Sequence, residues 1–170
     1  FMGLDEATAN GTNRLMVISA ALVASYGYRS KKIVTHPYGL YFGIVATFGA
    51  IIGAKIAIDI DGDTFKRFLA IIMITVGIII VFRSKSIASL DLPERLSGKF
   101  LIGGLVGFFF IGIYGGFLQA GAGIVIMLLL TQLNRINLLR TNSIKAFSVF
   151  VYSIAAVAIF ALDGKILWIV

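Results

Sequence analysis

The sequence predicts an all-α protein, a polytopic transmembrane helical bundle with inverted repeats and glycine-broken helical hairpins. Three observations lead there. The 170 residues are 59% hydrophobic and 14% charged, with a mean hydropathy of +0.98, and several apolar runs approach the roughly 20 residues that a membrane-spanning helix needs. The 15 Lys and Arg residues, against 8 Asp and Glu, fall mainly in short segments between those runs, so membrane topology explains the net charge of +7 better than nucleic-acid binding does. Finally, Gly112-Ile113-Tyr114-Gly115-Gly116-Phe117-Leu118-Gln119-Ala120-Gly121-Ala122-Gly123 places five glycines and one amide inside the apolar run from Phe100 to Thr131. Each glycine disfavours a helix interior by about 1 kcal/mol relative to Ala, so a break is expected there. In lipid such a break survives only when buried in protein or lining a cavity.

The elements follow in order. Residues 1–13 are a polar lead-in, and a first helix is expected over Arg14–Tyr28, short for a full span and closed by Arg29, Lys31 and Lys32. Pro37 opens a second helix, Tyr38–Ile58, whose Gly49 and Gly53 form a GxxxG suited to close helix contact. Asp59, Asp61 and Asp63 make an acidic turn, and a third helix, Phe68–Phe82, returns to Arg83 and Lys85. Two arms, Phe100–Tyr114 and Ile124–Leu133, flank the glycine break, and basic residues bound both of them, Lys99 on one side and Arg135 and Arg140 on the other. Both outer ends then belong on the cytoplasmic face, which requires a hairpin of two short spans or a re-entrant pair. A last helix is expected over Thr141–Leu162.

The pairs Thr12-Asn13 and Lys32-Ile33 around the first helix echo Thr141-Asn142 and Lys165-Ile166 around the last, and the charges orient the two helices oppositely. Inverted repeats with broken helices are a recurring plan of secondary transporters. The division expected is 1–85 as the rear of a first repeat, 86–98 as a cytoplasmic linker, and 99–170 as the front of a second repeat carrying the hairpin 100–133. The start, Phe1-Met2-Gly3-Leu4-Asp5-Glu6, lacks the pattern of a signal peptide. Without a Met at position 1, and ending in the apolar Ile166–Val170, the chain is expected to be an internal piece of a longer protein.

Gly115, Gly116, Gly121 and Gly123 could present backbone N–H groups and a half-helix N-terminus to an anion; equally, Gly112, Gly116 and Ala120 make a small-residue ladder for tight packing. Gln119 offers a donor and an acceptor to a ligand, or an interhelical hydrogen bond. Lys145 and Arg14 are ionisable groups inside or beside apolar helices, hence functional candidates, with snorkelling to the surface as the plainer explanation. Lys55 is explained by snorkelling or by pairing with Asp59, and His36 by solvation. The run Asp59–Asp63 fails as a calcium loop, since Ala70 stands where a bidentate Glu belongs. With no Cys, no HExxH and no intramembrane carboxylate pair, the sequence offers no catalytic or metal-binding constellation, and no cofactor is expected.

The glycine-rich run quoted above, with Leu138-Leu139-Arg140-Thr141-Asn142-Ser143-Ile144-Lys145 and Phe160-Ala161-Leu162-Asp163-Gly164-Lys165-Ile166-Leu167-Trp168, resembles the second repeat of the TauE/SafE sulfite exporter family. Gly11-Thr12-Asn13-Arg14 and Gly49-Ala50-Ile51-Ile52-Gly53-Ala54-Lys55-Ile56-Ala57 resemble its first-repeat motifs. The resemblance implies a multi-pass permease of the bacterial cytoplasmic membrane that moves small anions such as sulfite or sulfonates. It also implies that a first broken hairpin precedes Phe1 and that further helices follow Val170. The expected activity is alternating-access export of a small sulfur-containing anion, not an enzymatic reaction, with the bilayer and a coupling ion (proton or sodium) as partners. Thr12, Asn13, Gln119, Thr141 and Asn142 are the expected polar contacts, with Gly115, Gly116, Gly121 and Gly123 shaping the backbone and Arg14 and Lys145 as charge partners. An anion channel, and a membrane scaffold or sensor whose glycines only pack, are the alternatives.

Overall fold

The computed structural model describes residues 5–83 and 93–168. These form six helices: α1 (Glu6–Ser30), α2 (Tyr38–Asp59), α3 (Gly62–Arg83), α4 (Gly98–Phe117), α5 (Ala122–Gln132) and α6 (Leu138–Leu162). Three of them, α2, α4 and α6, are long and apolar enough to cross a membrane. Large apolar side chains cover their outer faces, with Phe48, Ile102 and Phe110 each 62% exposed, as suits a surface solvated by lipid rather than water.

The bundle is organised by small residues. Along α2, Gly39, Gly43, Ala46, Ala50, Ala54 and Ala57 are buried at steps of three or four residues, one stripe of the helix. Glycines on both sides bring α2 and α4 together backbone to backbone. A Cβ on Gly49 would sit 2.8 Å from the Ile113 nitrogen, one on Gly112 would strike Ala46, and one on Gly116 would strike Ala50. Phe42 and Phe108 stack at 4.4 Å at the near end of the same seam. These pairings run in register, so α2 and α4 are parallel. So are α2 and α6, where Gly39 faces Phe147 and Gly43 faces Val151. In contrast, α1 is antiparallel to α6, with Gly11 against Phe160 and Lys165.

Charge separates to the two ends. The starts of α2, α4 and α6 lie with Lys32, Lys99, Arg135 and Arg140, while the far ends of α2 and α6 lie with Asp5, Glu6, Asp59, Asp61, Asp63 and Asp163. Lys66 pairs with Glu6 at 2.8 Å and Lys165 with Asp5 at 2.8 Å across the acidic end. The bond from Lys165, with help from Thr8, holds the Asp5 carboxyl below its ordinary value. Asp61 is also lowered, by hydrogen bonding from Thr64, whose backbone N–H lies 2.9 Å from Asp61 Oδ1 in the first turn of α3.

Three sequence-based boundaries are corrected. The first helix begins at Glu6, not Arg14, and at 25 residues is about 37 Å long. Its polar first turns fold because tertiary partners take their side chains: Asn10 Nδ2 donates to the Phe117 carbonyl at 2.7 Å, and Thr12 Oγ1 accepts from the Leu167 N–H at 3.1 Å. The third helix begins at Gly62, not Phe68. The first arm of the hairpin runs through Gly112, Gly115 and Gly116 to Phe117; contact with α2 and α6 that no larger residue permits offsets the propensity cost of about 3 kcal/mol for three glycines. The boundary at 85/86 and most of the linker 86–98 lie outside the described residues.

A contrast between two glycines tests the seam. In the full-length protein, Gly112→Ala should lower Tm by roughly 2–10 °C, because its methyl meets backbone that cannot step aside. Gly27→Ala should raise Tm by about 2–4 °C, because nothing lies within 4 Å of that position in α1 and only the helix propensity changes. Shifts of the same sign would remove the seam as the organiser of the bundle.

Candidate functional site

The hairpin of α4 and α5 is closed at its base by Asn134, which is fully buried. Its Nδ2 donates to the carbonyls of Arg95 and Phe100 at 3.0 Å each, and its own carbonyl accepts from the Arg95 N–H at 2.8 Å. Both ends of the hairpin therefore lie on the same, basic side. The arms are unequal. With 20 residues α4 is about 30 Å long, a full span, whereas the 11 residues of α5 reach only about 16 Å. The elbow between them, Leu118–Gly121, thus lies inside the bundle, level with Tyr152 in the middle of α6 and with Gly53 on α2.

The elbow is tightly wound. Gln119 and Gly121 have φ of 61° and 77°, a left-handed conformation that glycine takes freely but glutamine does not, and such strain concentrates at functional positions. The Ala120 N–H bonds the Leu118 carbonyl at 2.7 Å, the Ala122 N–H bonds the Gln119 carbonyl at 3.2 Å, and the Tyr114 hydroxyl donates to the Ala120 carbonyl.

Two helix ends of opposite polarity meet here, and they are treated differently. The last carbonyls of α4 have no partners within the helix and carry the negative end of its dipole. Residues of α1 one turn apart take them: Asn10 bonds the Phe117 carbonyl, and Arg14 donates Nη1 to the Gly115 carbonyl at 2.9 Å and Nη2 to the Gly116 carbonyl. The Arg14 guanidinium is wholly buried and lies 4.7 Å from the centre of the Phe160 ring. Among the described residues no carboxylate pairs with it. Arg14 is thus a C-terminal cap supplied by a neighbouring helix, which is a different task from the substrate contact expected of it.

The N-terminus of α5 has no side-chain cap, although the elbow backbone takes two of its first N–H groups, Ala122 onto the Gln119 carbonyl at 3.2 Å and Ile124 onto the Gly121 carbonyl at 2.9 Å. Its N-cap is Gly121, which has no side chain to accept from the first N–H groups. Lys145 comes from α6 instead, its chain passing 3.5 Å from the place a Cβ on Gly123 would occupy. Lys145 Nζ donates to Asn142 Oδ1 at 2.7 Å and touches Met127 Sδ at 3.8 Å, and no carboxylate among the described residues neutralises it. On the opposite side, Gln119 Oε1 accepts from the buried Tyr152 hydroxyl at 3.3 Å, which leaves its amide Nε2 free to donate. The result is a positive, donor-rich corner with no acidic partner among the described residues.

Of the residues expected at the site, the structure brings together Gly115, Gly116, Gln119, Gly121, Gly123, Asn142 and Lys145, with Arg14 behind them. It does not bring in three others. Thr141 is buried and donates to the Ile136 carbonyl at 3.2 Å, fastening the α5–α6 turn; Thr12 holds Leu167; Asn13 faces outward from α1. Tyr152, Tyr114 and Asn10 are site residues that the sequence reading missed. Spacing carried the signal for two of them. Asn10 is four residues from Arg14, and Tyr152 continues the ladder Thr141, Lys145, Ser148 on one face of α6.

A family model, described as sulfite exporter TauE/SafE, matches residues 1–170. The chain belongs to that family. Among curated proteins, this TauE/SafE chain is 31% identical over 167 residues to a "Probable membrane transporter protein" of Haemophilus influenzae, covering 98% of this chain and 64% of the relative. It is 26% identical over 170 residues to "Probable membrane transporter protein YfcA" of Escherichia coli K12, covering 98% and 61%. A third relative, "Probable membrane transporter protein ORF9" of a Sinorhizobium species, is 24% identical over 166 residues, covering 98% and 62%. The chain therefore spans a little under two thirds of these relatives. No solved structure matches it significantly.

Proposed function

We propose that the full-length protein is a secondary transporter, not an enzyme, that exports a small sulfur-containing oxyanion such as sulfite or an organosulfonate across the bacterial cytoplasmic membrane. The observation that carries this reading is the Lys145 cation, unpaired with any described carboxylate and set beside the N-terminus of α5. Arg14 is spent on the carbonyl end of α4, whereas the N-terminus of α5 has no side-chain cap and the Lys145 side chain beside it has no carboxylate partner among the described residues. Positive charge held inside an apolar bundle is stabilised by an anion, and helix N-termini serve anions by their N–H groups and dipole alike. In the proposed site Lys145 and the first turn of α5 hold the oxyanion, Gln119 donates its amide, and Tyr152 orients Gln119. Asn142 positions Lys145. Alternating access, coupled to a proton or sodium ion, exposes this corner in turn to each side. The names of the relatives and the basic and acidic ends of the bundle support the membrane setting and orientation.

The test uses the full-length protein in proteoliposomes loaded with radiolabelled sulfite. Gln119→Leu should reduce saturable efflux at least tenfold while the protein stays folded, with only the modest fall in Tm due to the lost Tyr152 hydrogen bond. Wild-type efflux that rises linearly with concentration would exclude alternating access, and unaltered efflux in the variant would remove Gln119 from the path.

A further inference from the structure

A second site lies at the basic end of the bundle, remote from the elbow. The C-terminal half of α1, the connection to α2 and the first half of α6 enclose a cavity of about 550 Å³, a volume in the ordinary range for ligand pockets. The connection is pinned in place. Thr35 Oγ1 and Ser143 Oγ share a hydrogen bond, Arg140 Nε donates to the Val34 carbonyl at 3.2 Å, and the His36 ring meets the Phe147 ring edge-on at 5.1 Å.

The lining divides by chemistry. Arg29, Lys32 and His36 supply donors at the rim, and none of the described lining residues is acidic. Glu94 is already paired with Arg140, which itself bonds the connection at the Val34 carbonyl. Leu22, Val34, Phe147 and Phe150 make an apolar wall, continued outward by Tyr26, which is 74% exposed. Between rim and wall sits the Ser25 hydroxyl, shielded from solvent and without a partner among the described residues.

We propose that this cavity is a binding site for an anionic phospholipid, with the phosphate among Arg29, Lys32 and His36, glycerol oxygens within reach of Ser25, and an acyl chain along the wall. Charge complementarity selects this occupant. A further apolar helix of the same chain would cover the wall and leave Arg29 and Lys32 desolvated, whereas a lipid phosphate neutralises them while its chain covers the wall. Basic pockets between transmembrane helices at the positive end are where anionic headgroups bind. This site does not depend on the transport reading, since none of its residues touches the elbow.

The experiment is native mass spectrometry of the full-length protein with phosphatidylglycerol, with phosphatidylcholine of the same chains, and with inorganic phosphate, alongside Tm in each. Phosphatidylglycerol should be retained at least tenfold over phosphatidylcholine and should raise Tm; phosphate alone should not. Arg29→Gln with Lys32→Gln should reduce that preference about tenfold, leaving Tm in phosphatidylcholine at the wild-type value because both side chains are exposed. Ser25→Leu, which intrudes on the cavity and removes its hydroxyl without altering charge, should also reduce it. Equal retention of the two lipids, as when another segment of the chain fills the cavity, would overturn the proposal. So would an equal Tm rise with phosphate alone, or a preference that survives both sets of substitutions.

Discussion

Full-length protein carrying Lys145→Met should keep its fold and bind sulfite roughly 10- to 150-fold more weakly, the range set by a charge-assisted hydrogen bond of about 1.5–3 kcal/mol. The fold should persist because Lys145 makes only two contacts through its ammonium, to Asn142 and Met127, and is part-buried. Methionine has a similar reach and leaves no cavity over Gly123. The measurement is half-saturation of sulfite flux in proteoliposomes, with Tm recorded on the same preparation. Unchanged half-saturation would show that the ammonium serves the basic surface instead of the anion. A matched loss of Tm would show that it holds α5 to α6.

Arg14→Leu should produce the opposite signature, a loss of stability of about 3–5 kcal/mol, near 10 °C in Tm, before any effect on substrate is considered. Leucine leaves the Gly115 and Gly116 carbonyls buried without donors and removes the positive charge from the end of the α4 dipole. Arg14→Lys should recover only part of the loss, since an ammonium is a point charge and cannot span two successive carbonyls as the guanidinium fork does. If Tm is indifferent to both substitutions while sulfite affinity collapses, Arg14 is a substrate ligand and the capping role is wrong.

The two residues show how far the sequence could be read. Both were visible as charges within apolar surroundings. The opposite orientation of the first and last helices was legible from the charges. What the sequence could not supply was which helix end each residue would meet, because that depends on α1 starting at Glu6 and on Asn10 and Arg14 reaching the elbow. The second helix, expected over Tyr38–Ile58, forms over Tyr38–Asp59, since its apolar length and its flanking Pro37 and aspartates are local signals. The polar first turns of α1 look like a lead-in for the opposite reason: Asn10 and Thr12 find their partners more than a hundred residues away. The glycine run was read correctly as a hairpin with a break, but the break was placed too broadly. Gly112 and Gly116 belong to the packing seam with α2, while the strained backbone is confined to Gln119 and Gly121. Propensity counts glycines alike. Only the partner helix distinguishes one that admits a neighbour from one that turns the chain.

The seam between α2 and α4 also constrains how the protein can work. Helices joined through long side chains can slip past one another as rotamers change, each step a small rearrangement. Here carbonyl oxygens of one helix lie where the other has only hydrogen, so there are no rotamers to exchange, and sliding by one residue would drive Cβ atoms into backbone. With α6 packed along the same small-residue stripe of α2, these helices form a stator. On the transport reading proposed above, the stroke would fall to the half-length α5, joined to α4 through the left-handed Gly121, while α1 stays with the stator because Asn10 and Arg14 fasten it to the end of α4.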